Sequence, residues 1–271
     1  MNHVTSNDGT KIAFDRLGEG SPLILVGGAF SYRGWKGFVQ LADLLAPRFS
    51  VINYDRRGRG DSGNGRPYAV EREIEDLDAL VQAAGGTAHV FGMSSGGVLA
   101  LRAAAAGVPV ARAVVYQPPF VVDSSGHVPP PEFGQRLGEL VESGRRSKAA
   151  GYFMREGMGA PGPFVGLLRL ARPIWSNLKA VAHTLPYDYA VMGETVRGAP
   201  LAAEPWSSVE APVMVVDGGK SPAALRRAAD ELAGVLPNAR RRTLEGQSHN
   251  VSMKVLAPVV GEHLRGGADP R

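Results

Sequence analysis

Val90-Phe91-Gly92-Met93-Ser94-Ser95-Gly96-Gly97 is the stretch on which the reading of this chain turns. A β-branched and aromatic run stops at Gly92 and a helix-forming run opens at Ser95, so a Gly-x-Ser-x-Gly pattern falls on a strand-to-helix turn. Such a turn holds its serine in a strained conformation, and the flanking glycines remove the Cβ atoms that would strike the neighbouring strand and helix. Alone, the pattern also fits a flexible linker or a helix cap. Its context separates the readings: Thr87 to Phe91 reads as a buried strand, and Val98 to Ala106 as an alanine-rich helix ended by Gly107. Ser94 is therefore the candidate nucleophile.

Working outward, the chain alternates strand-like and helix-like segments. Thr10 to Leu17 reads as part of an antiparallel edge hairpin after the Asn7-Asp8-Gly9 turn. Continuous apolar runs at Pro22–Val26, Val51–Tyr54, Ala88–Phe91, Ala113–Tyr116 and Pro212–Val216 suit strands buried on both faces of a parallel sheet. Val70, Ile74, Leu77, Leu80 and Val81 form one helical stripe, and Leu225, Ala228, Ala229, Leu232 and Val235 another. This alternation predicts an α/β fold with a doubly wound, mostly parallel sheet. Between Pro118 and about Pro205 no strand pattern appears, and helical spacing recurs over Phe133–Val141, Ala149–Met158, Phe164–Leu170 and Ile174–His183. The expected division is a core of residues 1–120 and 206–271 with a helical cap or lid at 121–205.

Composition narrows the chemistry. With 271 residues, 44% of them hydrophobic, the chain suits one large domain with an insertion. It has no cysteine, which excludes disulfides, zinc-thiolate sites and a cysteine nucleophile. The first nine residues lack the basic start and apolar core of a signal peptide, and no stretch approaches the ~20 apolar residues of a membrane span. A soluble, cytoplasmic monomer or homodimer with a small-molecule substrate and no membrane partner is expected. The net charge of +4 rests on scattered arginines, and the densest run, Arg240-Arg241-Arg242, falls in an expected strand, so no nucleic-acid partner is expected.

A serine needs a base. Of six histidines, His249 lies in the loop Leu244–Val251 between the last expected strand, Arg240–Thr243, and a final helix, Ser252 to about Leu264, which brings it to the sheet edge that carries Ser94. His89 reads as a packed strand residue, His3, His127 and His263 as surface residues, and His183 as part of the insertion. Backbone N–H groups for an oxyanion are expected from Ser95, which opens a helix, and from Ala29, with Phe30 next, in the turn Val26-Gly27-Gly28-Ala29-Phe30. Phe30, Met93 and Trp175, with Trp35, Tyr187 and Tyr189, are candidate pocket walls.

These residues resemble the α/β-hydrolase family over almost the whole chain. Gly27-Gly28 is similar to its oxyanion loop, Tyr54-Asp55-Arg56-Arg57-Gly58-Arg59-Gly60-Asp61-Ser62 to its Asp-x-Arg-Gly-x-Gly-x-Ser segment, Gly92–Gly96 to its nucleophile elbow, and Gly246-x-x-His249 to its histidine loop. The resemblance implies a Ser, acid, His order along the chain, a helical cap after the sixth strand, and esterase-like acyl transfer without a cofactor. It also implies an acid after the seventh strand, where this chain has Ser221, or at the end of the sixth, where it has Gln117. Neither slot holds a carboxylate. Gln117 can accept from the imidazole without supplying charge, and Asp217, Glu245 and Asp123 are the other candidates. The expected activity is that of a serine hydrolase on a small or medium apolar ester, thioester or lactone. The alternative is a non-hydrolytic member of the fold that binds a ligand, cyclises or eliminates, or acts as a cofactor-free haloperoxidase.

Overall fold

The computed structural model describes residues 1–266. Eight strands form one sheet: β1 (Asn2–Thr5), β2 (Lys11–Leu17), β3 (Ser21–Val26), β4 (Phe49–Tyr54), β5 (Ala88–Met93), β6 (Val110–Tyr116), β7 (Val213–Gly218) and β8 (Ala239–Leu244). Their order is β1-β2-β4-β3-β5-β6-β7-β8, antiparallel over the first two pairings and parallel from β4 onward. The fold is thus α/β with a mostly parallel sheet, as the alternation of segments implies.

The helices are α1 (Lys36–Leu45), α2 (Val70–Ala83), α3 (Ser95–Ala105), α4 (Phe133–Glu142), α5 (Arg146–Tyr152), α6 (Gly162–Leu170), α7 (Arg172–Val181), α8 (Leu185–Met192), α9 (Ala223–Val235) and α10 (Met253–Leu264). Because strand side chains alternate between faces, Ile24, Val26, Val90 and Val115 pack with α2, α3 and α9, while Leu23, Leu25, Phe91 and Val114 pack with α1 and α10. This two-sided burial accounts for the unbroken apolar runs of the central strands.

Between β6 and β7 the chain forms only helical elements, α4 to α8 with short 3-10 and π-helical turns. They enclose a separate cluster of Phe133, Leu137, Phe153, Trp175, Leu185 and Met192, against which Ala29 and Phe30 pack. Three details differ from the sequence reading. β5 runs on to Met93, whose Cα pairs with Tyr116, rather than ending at Phe91. α1 fills the β3–β4 connection with the buried stripe Phe38, Leu41, Ala42 and Leu45, and α8 follows His183; neither helix was expected.

Candidate active site

Three non-glycine residues among those described have backbones in the left-handed region, and all three come from the expected site: Phe30 (φ 65°), Ser94 (φ 56°) and Gln117 (φ 45°). Such conformations cost roughly 1–3 kcal/mol each and persist where the surroundings over-determine them. Each stands just beyond the carboxyl end of a central strand, after β3, β5 and β6. Gly96 lets the turn at Ser94 close, since a Cβ there would overlap the carbonyl oxygen of Val26.

The end of β6 ties the elbow to the histidine loop through two consecutive residues. The Tyr116 carbonyl accepts the Ser94 N–H at 2.9 Å, and the Tyr116 hydroxyl donates to the Ser248 carbonyl at 2.6 Å. Gln117 Oε1 lies 3.0 Å from His249 Nδ1, and Gln117 Nε2 donates to Ser221 Oγ at 2.5 Å. In this arrangement the amide nitrogen faces Ser221 and the amide oxygen faces the imidazole. With Oε1 as acceptor, the proton of neutral His249 sits on Nδ1 and Nε2 carries the lone pair. Backbone bonds from Lys220 N to Gln247 O (2.7 Å) and from Gly219 N to Leu244 O (2.9 Å) stitch the β7 turn to the histidine loop. Burial lowers the His249 pKa below the ordinary histidine value, and no carboxylate offsets it. Ser94 Oγ makes no hydrogen bond among the described residues.

The other acid candidates are engaged elsewhere. Asp217 is buried and accepts from Arg241 (3.1 and 3.2 Å) and Thr243 Oγ1 (2.9 Å), Asp123 pairs with Ser125 and Arg227 at the surface, and Glu245 is exposed beside Gly219. Among the other histidines, Nε2 of His183 donates to the Gly58 carbonyl at 2.7 Å, and half-buried His89 has an Nδ1 without a partner.

Of the expected pocket walls, Phe30 sets its ring edge-to-face against Phe153 at 5.7 Å, at the border of the insert. Trp175 is buried in the insert cluster, its Nε1 donating to Ser147 Oγ at 3.0 Å, and Met93 is buried at the end of β5. Tyr187 stacks on Tyr68 at 3.8 Å and Tyr189 meets Phe133 at 4.9 Å. Trp35 packs instead on Phe38, in the cluster on the α1 and α10 face of the sheet, away from the insert.

Beneath the turn after β3 lies a buried ionic network that sequence reasoning missed. Arg56 forks onto Glu73 (Nε and Nη2, both 2.7 Å) and donates through Nη1 to Asp188 Oδ1 (2.7 Å) and the Gly27 carbonyl (3.2 Å). Arg59 donates to Asp188 Oδ2 (2.7 Å), to the carbonyls of Gly28 (2.6 Å) and Ser31 (3.1 Å), and to Thr184 Oγ1 (3.0 Å). Ser95 Oγ donates to Asp188 Oδ1 at 2.8 Å. Burial raises the cost of charge at Asp188, yet Arg59 and Arg56 hold its carboxyl below the usual carboxylate range. One sequence signal pointed here: Asp188 is the only carboxylate between Glu156 and Glu194.

The model of the Alpha/beta hydrolase family matches residues 23–259. The chain is 52% identical to an alpha/beta hydrolase from Sphaerobacter thermophilus DSM 20745, whose structure superposes with a TM-score of 0.90 over 97% of this chain and 100% of that one. A thermophilic esterase from Thermogutta terrifontis, 21% identical, shares the fold with a TM-score of 0.73 over 98% of both chains. Among curated proteins the chain is similar to the N-formylmaleamate deformylase of Pseudomonas putida strain KT2440, 39% identical over 106 residues; this is 38% of the present chain and 39% of that relative's length.

Proposed function

The chain belongs to the alpha/beta hydrolase family, and on that premise we propose that it is a serine hydrolase acting on a small or medium apolar ester, thioester or lactone. Ser94 Oγ attacks the acyl carbon while His249 Nε2 takes its proton. The N–H groups of Ala29 and Ser95 hold the oxyanion. Collapse expels the alkoxide or thiolate, which takes the proton back from His249 and leaves an acyl-enzyme. Water, activated by the same imidazole, then releases the acid and restores the serine. The helical insert acts as a cap, and Phe30, Met93 and Trp175 face the acyl group with apolar surface.

The observation that carries this reading is the Gln117–His249 contact, 3.0 Å between Oε1 and Nδ1, beside a serine held in a strained turn. An amide in the acid slot fulfils half of an acid's role, because it selects the tautomer with Nε2 free and supplies no charge to the imidazolium. Losing the tautomer as well costs about 10⁴ in rate when the aspartate of a serine-protease triad becomes asparagine, so retained geometry leaves a working hydrolase of reduced rate. The N-formylmaleamate deformylase acts on N-formylmaleamate, and formyl amides therefore belong beside esters as trial substrates.

The test is labelling with a fluorophosphonate, followed by a panel of p-nitrophenyl esters from acetyl to octanoyl. Ser94 is expected to carry the label, and Ser94→Ala to abolish both label and turnover. The same amide in the acid slot also favours a second, non-hydrolytic reading. Tight binding of apolar ligands, with no label and no turnover of any ester or formyl amide, would establish that second reading instead.

A further inference from the structure

The carboxylate of Asp188 belongs to the insert, yet its three partners all reach into the turn and helix start that flank Ser94. Its side chain is completely buried, as is that of Arg59, and Arg56 nearly so. Each arginine also grips a carbonyl of the turn after β3, Arg56 that of Gly27 and Arg59 that of Gly28. The second grip has a geometric consequence. The Gly28 carbonyl and the Ala29 N–H are the two ends of one peptide unit, which is planar and trans, so they point in opposite directions. Holding the carbonyl oxygen on Arg59 and on Ser31 Oγ, both at 2.6 Å, therefore fixes where the Ala29 N–H aims. On the other side of the site, Asp188 takes the Ser95 hydroxyl and so pins the residue whose N–H opens α3.

We propose that Asp188 is a positioning residue through which the helical insert sets the aim of both oxyanion donors, Ala29 through Arg59 and Ser95 through its hydroxyl. This rests on the serine-hydrolase reading and adds to it a dependence of the oxyanion site on the seating of α8. Two cations, Arg56 and Arg59, face two carboxylates, Glu73 and Asp188, so removing the second carboxylate leaves a buried cation without its counter-charge. Relaxation of that imbalance displaces the arginines, and with them the Gly27 and Gly28 carbonyls. Acylation and deacylation both pass through an oxyanion, whereas ground-state binding of the ester does not depend on it. The expected signature is a loss in kcat with little change in KM.

The variants are Asp188→Asn, which keeps the shape and removes the charge, and Ser95→Ala, which removes the hydroxyl anchor and leaves the backbone donor and every charge in place. Rates are normalised by fluorophosphonate titration, so unfolded molecules do not enter. Inhibition by an aryl trifluoromethyl ketone, whose hemiketal oxyanion occupies the donors, is measured alongside. Asp188→Asn is expected to lose about 10²-fold in kcat, with KM within threefold and ketone affinity falling in parallel. Ser95→Ala is expected to lose about three- to tenfold in the same pattern, and it remains informative if Asp188→Asn fails to fold. Wild-type kcat and ketone affinity per titrated Ser94 site in the variants would overturn the positioning role alone. A wild-type protein that neither labels nor turns over would overturn the serine-hydrolase reading and this inference with it.

Discussion

Gln117 concentrates the chemistry of the site in one side chain. Its amide spans two groups, accepting from His249 and donating to Ser221. Gln117→Glu preserves both contacts by reversing one of them, because the Ser221 hydroxyl can donate to the new carboxylate. The substitution adds charge beside the imidazole and little else. It is expected to raise kcat/KM for an ester by about a hundred- to a thousandfold, within the range a positioned acid–base pair contributes. The pH profile carries a second signature. His249 must be neutral to act as base, and burial without a carboxylate partner holds its pKa below the ordinary value. The acidic limb of kcat/KM in the native protein therefore lies below the histidine value of about 6.5, and Gln117→Glu moves it upward. An unchanged limb in the variant would show that the new carboxylate does not reach the imidazole.

At the scale of elements, the Ser94 turn is packed from both sides by backbone. A Cβ on Gly28 would come within 2.8 Å of the Met93 carbonyl oxygen and 2.9 Å of Ser94 Cβ, neither of which can swing aside. Gly28→Ala is expected to push the turn after β3 away from Ser94. The cost is about 1–3 kcal/mol of stability and about 10²-fold in kcat/KM through the displaced Ala29 donor. Thermal melting and ester kinetics on the purified variant check the two effects separately, and wild-type kinetics would show that the turn does not serve Ser94.

The central strands were legible as unbroken apolar runs, α2 and α9 as one-face stripes, α3 as the alanine-rich run after the Ser94 turn, and α10 as the segment that follows the histidine loop. The same stripe was present in α1, at Phe38, Leu41, Ala42 and Leu45. Helix α8 left none: its buried face, Leu185, Tyr187, Asp188, Val191 and Met192, carries a carboxylate, and the residues on its open face, Pro186, Tyr189 and Ala190, carry no charge, so polarity does not tell the two faces apart. Asp188 was hidden with it, since its partners lie 93 or more positions away and no spacing rule joins them. Ser94 and His249 could be singled out from the local pattern of the turn and the loop that hold them, and Gln117 from the acid slot that the family resemblance implies. The ionic support beneath them depends on tertiary closure alone.

For the whole molecule, burial has set three histidines against protonation. His89, His183 and His249 all have pKa values below the ordinary one, with burial as the leading cause. The unfolded chain, with histidines near 6.5, binds protons that the folded chain refuses. Stability from these groups is complete above about pH 6.5 and is lost as pH falls through their lower folded values. Asp8, held low by Arg57, and Asp188, held low by Arg59 and Arg56 despite burial, add a loss that begins only in the carboxylate range. The melting temperature is expected to be level from pH 8 to 7 and to decline from about 6.5 toward 5. The decline should be shallower in His89→Phe, which removes one of the three groups. A melting temperature that stays level down to pH 5 would contradict this linkage.

Strand β8 ends the sheet, paired with β7 alone, and Arg240, Arg241 and Arg242 stand in its middle. Arg241 reaches Asp217 and Asp230, and Arg242 reaches Glu262, so two of the three are anchored by carboxylates of this same chain. An open border of unpaired amides invites a foreign strand to zip alongside it, and bulky like charges in a row repel an identical border approaching from another copy. The basic triplet on this strand thus disfavours edge-to-edge pairing of two copies.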